Sequence, residues 1–150
     1  MEIIEYTTKY RDDFIQFNKD WIMDNFGFLE AGDLETFEKI DEDLAMGAMI
    51  YFAVEEDIPL ATCMAKPMDE FTWEICKLGS NKHKDHKGCG SAVFGAAVQW
   101  AIGHGAKRLF ILSNSRLKPA IHIYEKYGFK EIKLDNYEYV RGDIAFEKWI

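Results

Sequence analysis

Apolar residues recur along this chain at two different spacings, and the points where the spacing changes mark the elements. Phe14, Phe17, Trp21, Ile22 and Phe26 repeat every three or four residues, which predicts a helix from about Lys9 to Phe26. Leu34, Phe37, Ile40 and Leu44 keep that period, and Asp33 is a suitable N-cap for a second helix. Runs rich in β-branched and aromatic residues behave differently. Glu2 to Tyr6 predicts a short edge strand. Ala48 to Glu55 and Leu60 to Lys66 predict a hairpin around Glu56-Asp57-Ile58-Pro59, and Phe71 to Leu78 a third strand.

The helical period returns at Ser91 to Ile102, with Val93, Phe94, Ala97, Val98 and Ala101 inward and Gly103 and Gly105 at the end. Arg108 to Leu112 predicts a buried strand. Pro119 suits the first turn of a helix that runs to about Tyr127, with Gly128 just past its end. Phe129 to Leu134 and Tyr139 to Lys148 predict a closing strand pair. Hairpins at one end and a strand-helix-strand crossover at the other imply an α+β fold. Its sheet is mixed but mostly antiparallel, with one βαβ crossover and helices on both faces.

The 150 residues suit one domain, and a hydrophobic share of 48% suits a folded core. No apolar run approaches a membrane span, and no secretory leader is visible. Cys63, Cys76 and Cys89 cannot all pair within one chain and lack metal-binding spacing, which implies reduced thiols, a cytoplasmic setting and no metal.

The net charge of −8 disfavours sequence-independent nucleic-acid binding. Its distribution says more. Residues 1–75 carry 19 acids and 5 bases, whereas residues 76–150 carry 7 acids and 13 bases. An anionic ligand is therefore expected at the second half and a neutral or cationic one near the first.

Candidate chemistry starts at Lys87-Gly88-Cys89-Gly90-Ser91, between a predicted strand and a predicted helix. Glycines there admit a ligand close to the backbone, and the helix start aims unpaired N–H groups and a positive dipole end at it. That is an anion site, and phosphate is the usual anion. Dinucleotide binding of the Rossmann kind is excluded: the third glycine position is Val93, and no acid follows at ribose distance. No P-loop motif is present either.

Further on, Asn114, Ala120, Tyr124, Lys126, Gly128 and Phe129 form a second pattern. It resembles the N…A…Y-x-K-x-G-F segment of the GNAT superfamily, the acetyl-CoA-dependent N-acetyltransferases. Lys87 to Gly90 resembles that superfamily's pyrophosphate motif, and Glu74-Ile75-Cys76-Lys77-Leu78 the strand before it. The likeness runs from about residue 48 to 130. Two departures stand out. The motif position usually held by Gln or Arg is Asp85, and Asn114 lies further from Ala120 than in the commonest form.

The resemblance implies transfer of an acetyl group from acetyl-CoA, as cosubstrate, to a primary amine of a small molecule or peptide. It implies direct transfer in a ternary complex, and homodimers are common among such proteins. The main chain of Cys76, Lys77 and Leu78 would meet the pantetheine arm. Lys87, Gly88, Cys89, Gly90 and Ser91 would hold the pyrophosphate, and Asn114 would also contact the coenzyme. Tyr124 would protonate or hydrogen-bond the leaving sulfur, unless it is simply a core tyrosine. Glu74, an acid between Trp73 and Ile75, is the candidate base, unless it is a structural acid. Two alternatives are a non-catalytic acyl-CoA-binding regulator on the same scaffold and an acyltransferase that uses the Cys89 thiol.

Overall fold

The computed structural model describes residues 1–150. Strand β1 (Glu2–Glu5) leads through a 3-10 turn into α1 (Arg11–Phe26), which buries Phe14, Phe17, Asn18 and Ile22 at the predicted helical spacing. The predicted second helix is two, α2 (Ala31–Glu38) and α3 (Ile40–Ala45), because Lys39 leaves the helical conformation. Asp33 is not the N-cap. Glu30 holds that place, and Asp33 sits three residues on as its reciprocal partner in a capping box.

Strands β2 (Met49–Glu55) and β3 (Ile58–Pro67) join through Glu56 and Asp57 alone, both at positive φ, the geometry of a tight two-residue hairpin turn. After β4 (Thr72–Ser80) come α4 (Cys89–Gly103), β5 (Arg108–Ser113), α5 (Lys118–Lys126), β6 (Lys130–Ile132) and β7 (Ile144–Trp149). The sheet order is β1-β2-β3-β4-β5-β7-β6, and only β4 and β5 are parallel.

Helices cover both faces of this sheet. On one face, Val93, Phe94 and Ala97 of α4 pack with Tyr124 of α5 against Cys63, Ala65, Ile75 and Ile111. On the other, Phe14, Phe37 and Ile40 pack against Ile50, Phe52 and Met64.

One irregularity positions everything that follows. Met64 opposes Cys76 and Thr62 opposes Gly79, so Lys77 and Leu78 together face a single residue of β3. Lys77 takes a φ of 53° at this bulge. A bulge bends its strand and steepens the twist. The parallel pairing of β4 with β5 accordingly stops at Glu74 and Phe110, although both strands continue. β5 stays paired with β7 along its whole length, so β4 is the strand that turns away.

The closing strand pair is shorter than its pattern predicts. Residues 139–143 are not strand; β7 begins at Ile144. The backbone N–H groups of Val140 and Arg141 instead donate to the Glu30 carboxylate, at 2.7 and 3.2 Å. This loop therefore straps back onto the start of α2 and closes one side of the opening beside β4.

Candidate active site

A cleft of about 700 Å³ fills the gap between the parted ends of β4 and β5. That volume is within the ordinary range for small-molecule sites. Every residue from Glu74 to Ser80 lines it. With β5 gone from that edge, the β4 main chain offers N–H and C=O groups to an extended ligand, as a sheet edge does to an added strand. Cys76, Lys77 and Leu78 lie at its centre, and the Lys77 side chain leaves the cleft for a buried ion pair described below.

The start of α4 forms one end of the cleft. Lys87, Gly88, Gly90 and Ser91 line it. Gly88 is the N-cap at a φ of 81° and provides no side-chain cap, so the Gly90 and Ser91 N–H groups are left for another acceptor. Cys89 departs from expectation. It does not line the cleft; its N–H donates to the His86 carbonyl at 2.9 Å and its sulfur packs 3.3 Å from that of Met1. Burial, with Glu55 and Asp85 nearby, pushes its thiol up, away from the reactive thiolate. Acyl transfer through Cys89 is thus disfavoured on both position and chemistry.

Asp85 does not line the cleft either; its carboxylate accepts the Lys87 N–H at 3.2 Å. The acid at the Gln/Arg motif position shapes the turn from outside.

Glu74 and Tyr124 both face the cleft, from β4 and α5. Burial raises the Glu74 carboxyl to about 7, Glu138 adds to the rise, and Lys77 and Lys66 oppose it. A carboxylate that titrates near neutrality is a far stronger base than an ordinary one. The Tyr124 ring is wedged between Phe94 and Phe146, with both ring centres 5.4 Å away. Burial pushes its phenol up, so it stays protonated at neutral pH as a donor must. The ring belongs to the core while the residue also lines the cleft.

Asn114 lines the cleft, but its amide is engaged within the chain. It donates to the Arg141 carbonyl at 2.6 Å and accepts the Arg116 N–H at 2.8 Å. Its role in this structure is to clamp the strap loop to the end of β5 rather than to present a free group to a ligand.

The charged network behind the cleft was not legible in the sequence. Asp33, fully buried, accepts two hydrogen bonds from the Arg141 guanidinium at 2.6 Å each and one from Lys77 Nζ at 2.9 Å. Burial alone would push Asp33 up, but Arg141 and Lys77 outweigh it and hold the carboxyl at about 2. The Tyr139 ring is sandwiched here, 4.3 Å from Arg141 and 5.0 Å from Lys77 Nζ. It fits because position 32 is glycine: a Cβ there would lie 2.8 Å from the ring. The one local signal was Glu30 three residues before Asp33, the capping-box spacing.

Residues 14–129 match the acetyltransferase (GNAT) family, and the chain belongs to that family. Solved structures share the fold. An acetyltransferase of the GNAT family from Staphylococcus aureus superposes with a TM-score of 0.85 at 17% identity, covering 99% of this chain and 98% of that one. The yncA protein of Salmonella typhimurium, solved with its cofactor acetyl-CoA, has a TM-score of 0.79 at 11% identity, covering 99% and 93%. The PaiA N-acetyltransferase of Thermoplasma acidophilum, in complex with coenzyme A, has a TM-score of 0.74 at 14% identity, covering 100% of both chains. No curated protein matches the chain in sequence. No helix is long and apolar enough to cross a membrane.

Proposed function

We propose that this acetyltransferase, acting as one domain, moves the acetyl group of acetyl-CoA onto a primary amine of a small molecule or peptide by direct attack. The observation that supports this most is the continuity of a single cleft. It joins an uncapped helix start, an open strand edge, a carboxyl titrating near 7 and a buried phenol.

Each part has a distinct task. The N–H groups at Gly90 and Ser91, with the Lys87 ammonium, receive the pyrophosphate. The free edge of β4 holds the pantetheine arm and supplies backbone donors to the thioester carbonyl. Glu74 takes a proton from the incoming ammonium, directly or through water, because an alkyl amine with a pKa of about 10.4 arrives protonated. The amine nitrogen then bonds to the carbonyl carbon and gives its second proton to water, the carbon–sulfur bond breaks, and the sulfur takes the Tyr124 phenol proton. Asp20, Asp24 and Glu138 also line the cleft, with Asp20 and Asp24 paired to Lys82 at 4.0 and 3.3 Å.

Coenzyme binding is tested by thermal shift. At 100 times its dissociation constant, acetyl-CoA should stabilise the fold by about 2.7 kcal/mol. Gly90→Asp is the informative variant: a Cβ there would meet only Ile123 Cδ1, at 3.5 Å, so the fold accepts it while the carboxylate repels phosphate. A folded Gly90→Asp protein should lose the shift. A wild-type melting temperature indifferent to millimolar acetyl-CoA would remove the basis of this reading.

Tyr124→Phe should lower kcat by roughly 10- to 1000-fold and leave acetyl-CoA affinity nearly unchanged. The assay uses acetyl-CoA with a panel of lysine, alkyl diamines and short peptides with free N-termini. An unchanged kcat would leave Tyr124 as a packing residue only.

A further inference from the structure

β5 continues for three residues after it parts from β4, and the last of them, Ser113, lines the cleft. Ser113 is only 8% exposed, yet its hydroxyl oxygen is buried without a hydrogen-bond partner. A buried hydroxyl left without a partner is unfavourable, so one that faces a cleft calls for a use.

The residue is held firmly in place. It pairs with Ile144 across β7, its carbonyl accepts the Asp143 N–H at 3.2 Å, and the next residue is the clamped Asn114. Tyr124 lines the same cleft from α5. Burial pushes its phenol up and Ser113 acts in the opposite direction, although the two hydroxyls are not hydrogen-bonded in the free protein. Catalytic hydrogen bonds are often long in the free enzyme and tighten once substrate is bound. The other titratable groups that act on this phenol are the Cys63 and Cys76 thiols, from β3 and β4, the first buried and the second half-buried, both pushed well above the ordinary thiol range. From α4 and β7 the Phe94 and Phe146 rings pack against it.

We infer that Ser113 is a positioning residue, whose hydroxyl donates a hydrogen bond to the Tyr124 phenol oxygen and leaves the phenol proton directed at the departing sulfur. The inference rests on the role proposed above for Tyr124. As the carbon–sulfur bond breaks, its electron pair stays on sulfur, which takes the phenol proton, and the tyrosine oxygen gains negative charge. A hydrogen bond to a charged oxygen is worth more than one to a neutral oxygen. The Ser113 contact therefore strengthens in the transition state, which is the condition for accelerating the step. The ammonium loses two protons in all, one through Glu74 and one to water as the amide forms; one returns from solvent to the phenolate and one is released, so protons balance over the cycle.

The test is a double-mutant cycle with acetyl-CoA and the fastest amine of the panel. Ser113→Ala should lower kcat by roughly 5- to 30-fold, with the KM for acetyl-CoA unchanged. Its melting temperature should not fall, since the lost hydroxyl has no partner in the free protein. Ser113→Thr, which restores a hydroxyl, should recover most of the rate. In a Tyr124→Phe background, Ser113→Ala should have no further effect, because the oxygen it serves is gone. If Tyr124→Phe is slow and Ser113→Ala is as fast as wild type, the inference is wrong and the role of Tyr124 stands. An equal loss from Ser113→Ala in both backgrounds shows that the serine acts independently and also overturns it. Wild-type activity in Tyr124→Phe removes the role of Tyr124 and the inference with it.

Discussion

Glu74→Gln is expected to lower kcat/KM by about 10²–10⁴-fold near pH 7, the range typical of one general base. The substitution keeps the shape of the side chain and removes its basicity. Because the carboxyl titrates at about 7, wild-type kcat/KM should rise with pH up to that region, as the carboxylate form accumulates. The variant should lack that limb, and its deficit should shrink at high pH as free amine becomes available without a base. Acetyl-CoA affinity should be intact, since the helix start at Gly88 is untouched.

The same shift predicts an opposite effect on stability. An acid whose folded-state value lies above its ordinary 4.5 binds protons more tightly when folded. Its contribution to stability therefore declines as pH rises from about 4.5 through about 7. Glu74→Gln removes that decline, so its melting temperature should exceed wild type at pH 8 and match it at pH 4.5. Full activity of Glu74→Gln at pH 7 would assign the base to another group or to bulk water.

Asp33→Asn should destabilise the fold by about 3–5 kcal/mol, the usual effect of removing one partner from a buried ion network. It leaves the Lys77 ammonium and the Arg141 guanidinium buried together, with side-chain exposures of 6% and 8%. For a chain of this size, each kcal/mol lowers the melting temperature by about 2–4 °C. The sign with pH is the reverse of that for Glu74. Asp33 is held at about 2, below its ordinary 3.8, so its contribution is present above 3.8 and lost as pH falls toward 2. The variant should lack that acid-sensitive part of the stability curve. Denaturant titration at pH 7 and pH 3 reads both effects. Coincident midpoints for variant and wild type at pH 7 would show that the network contributes nothing net.

Asp33→Asn should also loosen the site. Asp33 ties α2 to the bulge of β4 through Lys77 and to the strap loop through Arg141, so the strap loop and the strand edge share one anchor. Activity at temperatures where the variant is still folded should therefore fall further than coenzyme affinity.

Much of this protein is determined by local pattern. Helical period placed α1 and α4, and Pro119 with Gly128 placed α5, within two residues of where they lie; a stripe such as Val93, Phe94, Ala97, Val98 and Ala101 has only one way to reach a core. Gly88 and Gly90 before such a stripe marked the helix start at one end of the cleft, since positive φ at a turn such as Gly88 is written in residue type. The isolated acid at Glu74 was visible too, although its shift to about 7 depends on Glu138 and on burial that pattern cannot supply.

What the tertiary structure alone decided depends on partners far apart in the chain. Asp33 was read as a cap because capping is local, whereas its bonds to Lys77 and Arg141 span 44 and 108 positions. Tyr139 to Asp143 carries a strand-like pattern, but the Glu30 carboxylate, about 110 positions away, takes the N–H groups a strand would have used. Cys89 sits in the middle of the phosphate turn by sequence, and only the fold shows that its side chain turns under the helix toward Met1. The bulge at Lys77 also has no local signature, because lysine does not favour positive φ. It is held there by a buried carboxylate from another element, and that bulge is what parts the two strands and opens the cleft.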